Sequence, residues 1–205
     1  MVATQSCMLP LGTIAPAFKL RDVISGDFVS LQKKENTRGY LIAFICNHWP
    51  FVIHLLEHLP THFNKMQEQG IEVFALSSND IVNYPQDSPE KMRELSKSHG
   101  FTFPYLYDEE QDVAIAYTAA CTPDFFLFDS DLELFYRGRY DSSRPGSGNE
   151  VTGEDLLDSV NHLIAGGSPP VNQLPSIGCN IKWIAAGNPF IFRKRIKRAY
   201  LVVIT

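Results

Sequence analysis

The chain has 205 residues, 44% of them apolar and 20% charged, the balance of an ordinary globular protein. Its net charge of −5 hides an asymmetry: residues 181–205 hold six basic residues (Lys182, Arg193, Lys194, Arg195, Lys197, Arg198) and no acid, which leaves 12 basic against 23 acidic residues, or −11, for the rest. An acidic body argues against nucleic acid as a partner, and no apolar run reaches the ~18 residues that a membrane span needs.

One domain over residues 1–180 with a basic tail over 181–205 fits this length. The four cysteines, Cys7, Cys46, Cys121 and Cys179, are far apart and lack paired zinc spacing. The N-terminus has neither a basic start nor a long apolar run, so a signal peptide is not expected. A cytoplasmic, reducing setting follows as the expectation, one in which cysteines are catalytic or inert rather than structural.

Residues 1–16 are interrupted by Pro and Gly and read as loop. Phe18 to Asp22 alternates, Ser25-Gly26-Asp27 turns, and Phe28 to Leu31 follows, which is a hairpin signal. Six apolar residues, Tyr40 to Ile45, then run unbroken into Cys46, as in a strand buried on both faces. After Pro50 the apolar residues Phe51, Val52, Leu55, Leu56 and Leu59 recur at helical spacing. Pro60 predicts a kink or restart, with Thr61 as a cap and Gly70 as the stop. Ile71 to Ser77 reads as a strand, and Ser88-Pro89-Glu90 opens a helix closed by Gly100. Phe103 to Tyr107 is a short extended piece, and Glu109 to Ala120 a helix. Asp124 to Asp129 and Glu133 to Arg139 form a hairpin around Ser130-Asp131, and a helix follows over Gly153 to Ala165. The fold class is α/β, with a mixed central sheet, helices on both faces and an N-terminal β-hairpin.

Cys46 stands where a buried strand ends and a helix begins, a place where free backbone N–H groups favour an anion. Such a thiol is biased toward thiolate, the reactive form, so Cys46 is the candidate nucleophile. The alternative is a redox-inert, structural cysteine.

Gly12-Thr-Ile-Ala-Pro16-Ala-Phe18, the strand ending at Cys46, and Cys121-Thr-Pro123-Asp-Phe-Phe-Leu-Phe-Asp129 resemble thioredoxin-fold proteins of the alkyl hydroperoxide reductase/thiol-specific antioxidant group. Residues 77–90, Tyr105 to Asp108, Tyr136 to Arg139 and Pro175 to Trp183 extend the resemblance, which spans about residues 10–183. It implies a thioredoxin-like three-layer fold and a thiol-dependent oxidoreductase, with antioxidant activity among its possibilities. The family pattern is Cys-x-x-Cys; here it reads Cys46-Asn-His-Trp49. The thiol that would release a mixed disulfide is missing from that position. Cys46 would then act alone on disulfides or hydroperoxides, resolved by another cysteine or by an external thiol of thioredoxin or glutathione type. No prosthetic group and no metal is implied. The competing reading is a redox-inactive binding module that holds a partner protein in the same groove.

By the same resemblance, Thr122-Pro123 is the cis-proline loop that faces the nucleophile, and Thr122 offers its backbone to an extended substrate. His48, when charged, would favour the Cys46 thiolate; the bland reading is a solvent-facing histidine. Trp49 either packs or forms a docking surface. Cys121 is the candidate internal resolving thiol, against the alternative of a small buried hydrophobe; Cys179 and Cys7 are weaker candidates. A peroxide-reducing member has Thr three residues before its cysteine; here that position is Ala43, which ranks peroxide below disulfide chemistry.

His54-Leu-Leu-Glu57-His58, with His62 one turn on, fits a zinc-protease pattern. Short patterns match often by chance, and Pro60 disturbs this helix. The basic tail, with its strand-prone Tyr200 to Ile204, lies outside the resemblance; packing on the acidic body is the favoured expectation.

Overall fold

The computed structural model describes residues 3–184. The predicted tail arrangement, including Tyr200 to Ile204, lies outside the described residues.

Strand β1 (Ala3–Gln5) comes first, then the hairpin of β2 (Lys19–Asp22) and β3 (Phe28–Ser30). The central strand β4 (Gly39–Phe44) leads through Cys46 to the single turn α1 (Pro50–Ile53) and then to α2 (Leu59–Glu68). Next come β5 (Ile71–Ser77), a 3₁₀ turn at Pro85–Asp87, α3 (Pro89–Ser98), β6 (Tyr105–Tyr107) and α4 (Asp112–Ala116). The chain ends with β7 (Cys121–Thr122), β8 (Asp124–Asp129), β9 (Leu134–Gly138), α5 (Glu154–Ile164) and β10 (Ile177–Asn180).

Seven strands form the main sheet in the order β3-β2-β6-β5-β4-β8-β9. β4, β5 and β6 run parallel, and the remaining pairs are antiparallel. β4 is central because every one of its six residues is buried. Its alternate side chains feed two cores. Leu41, Ala43 and Ile45 meet α2, α3 and α5 through Phe63, Met92, Leu156 and Val160. Tyr40, Ile42 and Phe44 meet α4 and the N-terminal segment through Ala114, Ala15 and Phe18. Each such side chain contributes roughly 1.5–3 kcal/mol on full burial.

A second, three-stranded sheet, β1-β10-β7, is joined to the first at one residue. Pro123 alone separates β7 from β8. It has no N–H to give either ladder, which suits a joint between sheets. Gly178 lets β10 approach this joint closely, since a Cβ there would stand 2.2 Å from the Thr122 carbonyl oxygen.

Four local expectations change. Residues 1–16 contain β1, which exists because β10 supplies its partner. The helix break falls at residues 54–58, before Pro60, which sits in the first turn of α2 where its missing N–H costs nothing. Glu109 to Ala120 narrows to the five residues of α4. Positive φ at Gln111 and Thr118 brackets it, and both residues are held by tertiary hydrogen bonds, Gln111 to Ser78 and Lys182, Thr118 to Arg137. Last, the domain runs past residue 180: Ile181 packs in the second core, and the Lys182 N–H donates to Asn79 Oδ1 at 2.8 Å.

Candidate active site

Burial of β4 carries its C-terminal end, and Cys46 with it, to the inner side of the joint between the sheets. Cys46 is 0% exposed, and its Sγ lies 3.1 Å from Thr122 Oγ1, 76 residues away in sequence. The Thr122–Pro123 peptide is cis. Cys46, Thr122 and Pro123 are thus brought together at one place.

The protonation state differs from the expectation. Burial pushes the Cys46 thiol far above the ordinary range, and the negative charge of Asp87 adds to this. Hydrogen bonds from the Thr122 hydroxyl and the Trp49 backbone N–H act the other way and do not prevail. The helix that follows is one turn long and too short to hold a thiolate against that desolvation. The expected helix-start thiolate is therefore corrected to a protonated thiol.

His48 is also placed otherwise. Its Nδ1 lies 3.1 Å from Asp87 Oδ1, and its ring tilts against Trp49 at 4.7 Å between centroids. It orients the loop through Asp87 instead of pairing with the thiol. Asp87 is fully buried, at the end of the 3₁₀ turn. It accepts the Asn47 backbone N–H at 2.8 Å and the Asn79 side-chain amide at 2.7 Å. Asn79 in turn accepts the Lys182 N–H, so one hydrogen-bonded chain runs from the Cys46 loop to the strand β10 region. Tyr105 joins from below, its hydroxyl donating to Asn47 Oδ1 at 3.0 Å.

Trp49 packs against the first core with one face toward Tyr84. Lys182 Nζ stands 3.9 Å from its ring centroid, a cation–π contact, and also donates to Asn180 O at 2.6 Å. The position where the family pattern has a second cysteine is filled by an indole capped by an ammonium group.

Cys121 is not brought to Cys46. Neighbouring strand residues face opposite sides, and with Thr122 toward Cys46 the Cys121 Sγ turns back to the Pro123 carbonyl, 3.6 Å away. Burial, then the charge of Asp124, pushes its thiol up as well. Cys179 lies directly opposite Thr122 in the β10–β7 ladder, and Cys7 is exposed.

Beside Pro123, a cavity of about 250 Å³ is lined by Phe51, His54, Arg139, Tyr140 and Arg144 among others. The zinc-like pattern disperses here. His54 Nε2 pairs with Ser143 Oγ at 3.1 Å, and His62 pairs with the Tyr140 hydroxyl. Among the described residues no group of three or more His, Cys, Asp or Glu is placed to hold a metal ion. Among them, too, no helix is long and apolar enough to cross a membrane.

Asp87, Asn79 and Lys182 surround the Cys46 loop, and sequence reasoning passed over them. Their only signal was membership in the matching stretches 77–90 and 175–183.

Comparison with known proteins fits this geometry. A crystal structure of an uncharacterized conserved protein from Geobacillus kaustophilus is 48% identical, covers 90% of this chain and 98% of its own, and superposes with a TM-score of 0.87. A hypothetical protein from Sinorhizobium meliloti 1021 is 43% identical over 89% of this chain and 99% of its own, with a TM-score of 0.86. The thioredoxin domain of a thiol-disulfide oxidoreductase from Bacteroides vulgatus shares the fold, with 18% identity, 77% of this chain and 99% of its own covered, and a TM-score of 0.59. No match is found among curated proteins. The model of the AhpC/TSA family matches residues 11–137, and the fold is thioredoxin-like. On that match, over more than half its length, this chain belongs to the AhpC/TSA family.

Proposed function

We propose that the protein is a thiol–disulfide oxidoreductase whose nucleophile is Cys46, working behind a Trp49–Lys182 cover. The observation that carries this reading is the Cys46 Sγ to Thr122 Oγ1 contact of 3.1 Å beside the cis Thr122–Pro123 bond. A disulfide laid along Thr122, with its flank in the cavity next to Pro123, would meet the sulfur there. Cys46 gives up its proton and attacks one substrate sulfur. A Cys46–substrate disulfide forms, and the other substrate sulfur leaves as a thiolate, which takes a proton. An external thiol of glutathione or thioredoxin type supplies the reducing equivalents. Because the resting thiol is protonated and covered, displacement of Trp49 by the substrate is part of activation. Four free cysteines agree with a reducing, cytoplasmic setting.

Hydroperoxides rank second as substrates. Attack on a peroxide oxygen would yield a Cys46 sulfenic acid and an alcohol or water. The Thr122 hydroxyl is the one polar side-chain group hydrogen-bonded to the sulfur among the described residues.

A second reading, a partner-binding module with an inert sulfur, is favoured by one observation: Cys46 is 0% exposed with its thiol pushed up. Insulin reduction with glutathione as donor separates the two. The enzyme reading expects slow turnover, lowered about 2–10-fold by Thr122→Val, the loss of one hydrogen bond, and raised by Trp49→Cys. Turnover absent in all three proteins, with Cys46 unalkylated by iodoacetamide up to pH 9, would leave the binding module.

A further inference from the structure

We infer that Cys179 is the resolving thiol for Cys46, so that the catalytic cycle passes through a Cys46–Cys179 disulfide. This rests on the proposed attack by Cys46 and supplies what the Cys-x-x-Trp departure took away.

Three observations place the two cysteines beside each other, and a fourth says why β10 can come so close. First, Thr122 joins them: its hydroxyl touches Cys46 Sγ at 3.1 Å, and its Cα partner across the β7–β10 ladder is Cys179. Directly paired residues of an antiparallel ladder present their side chains on the same face, with Cβ atoms about 4.5–5.5 Å apart. Second, α1, which follows Cys46 within a few residues, packs against β10, the strand that carries Cys179. Third, the Lys182 ammonium feels the charge of both thiols when ionised. The Lys182 charge in turn favours the ionised Cys179 thiol. Fourth, Gly178 allows β10 this close, since any larger residue meets the Thr122 backbone. Cys121, the other internal candidate, faces the opposite side of the ladder.

The chemistry balances without a further reagent. Cys46 attacks the substrate disulfide and releases one substrate thiol. Cys179, deprotonated, then attacks Cys46 Sγ; the Cys46–substrate bond breaks, the Cys46–Cys179 bond forms, and the second substrate sulfur leaves and is protonated. One substrate disulfide has been reduced to two thiols, and the two protein thiols have been oxidised to one disulfide. An external dithiol, or two monothiols, restores them.

The test uses 5,5′-dithiobis(2-nitrobenzoate) as the disulfide, on full-length chain carrying Cys7→Ser, because Cys7 is exposed. The parent should release two thionitrobenzoate equivalents and keep no adduct. Non-reducing peptide mapping should show Cys46 linked to Cys179, a readout that needs no further variant. Cys179→Ser should release one equivalent and retain one adduct, on Cys46. Cys121→Ser should behave as the parent. Two equivalents from Cys179→Ser, or an adduct trapped by Cys121→Ser instead, would overturn the assignment of Cys179 while leaving Cys46 as nucleophile. No release from the parent would sink the role of Cys46, and this inference with it.

Discussion

Asp87 shows how one buried charge can organise a loop and restrain its chemistry. The carboxylate is 0% exposed and accepts from Asn47, Asn79 and His48. Its charge also opposes ionisation of Cys46, second only to burial. Asp87→Asn should therefore have two effects of opposite value. Removing the charge lowers the Cys46 pKa, and each unit is tenfold in thiolate; iodoacetamide should alkylate Cys46 severalfold faster at fixed pH, read by peptide mapping. The new amide must also turn its NH₂ toward a donor, which costs about 1–3 kcal/mol in urea unfolding. Unchanged or slower alkylation would mean that hydrogen bonding, not charge, sets the thiol. At this scale the sequence was half legible. Cys46, Thr122 and Pro123 stood in recognisable stretches. Asp87 also lay in one, residues 77–90, but nothing singled it out there, because its partners lie 8 and 40 residues away and no local pattern marks such a residue. His48 and Cys121 were misplaced for a related reason: sequence adjacency to the reacting residue says nothing about which way a side chain turns.

The elements around the site make two further expectations. In β10, Gly178 is held by steric need, with the Thr122 carbonyl oxygen 2.2 Å from where a Cβ would be. Gly178→Ala should cost about 2–3 kcal/mol or more by urea unfolding, and hydrogen exchange should quicken first in β1, β7 and β10, with the main sheet unaffected. Uniform quickening would show that the small sheet is not a separate unit. At the start of α5, Asp141 accepts the N–H groups of Thr152 and Gly153 and is bonded by Ser143. Burial raises its pKa, but those hydrogen bonds outweigh it and the net shift is downward. A depressed carboxyl adds stability that is present above its unfolded value near 3.9 and is lost as pH falls through the lower folded value. Asp141→Asn should thus lower the urea midpoint at pH 6–7, and the gap to the parent should narrow as pH falls below the unfolded value near 3.9. A gap independent of pH would mean that the carboxylate charge is not what α5 uses. Strands with long apolar runs, β4, β5 and β8, were readable because burial on both faces leaves no other composition. β1 and β10 are short and half-polar, and their partners lie far away in sequence, β10 for β1 and both β1 and β7 for β10, so nothing local could announce them.

For the molecule as a whole, the decisive feature is that β4 belongs to both cores. Leu41 and Ile42 point to opposite sides of the sheet, yet truncation of either should weaken the same transition. Leu41→Ala and Ile42→Ala should each cost about 2–5 kcal/mol, with far- and near-ultraviolet circular dichroism melting together. Two separated transitions would mean that the cores unfold independently. The overall α/β plan followed from the order of periodicities, but the second sheet, which completes the site, joins residues near 4, 122 and 178. That arrangement has a consequence for biosynthesis. Cys46 emerges from the ribosome long before residues 177–182, an interval of roughly 7–27 s at ordinary elongation rates. Throughout it the nascent polypeptide carries an unshielded thiol beside an incomplete sheet, which makes translation the period of greatest exposure to stray oxidants and the moment when a chaperone would have most to protect.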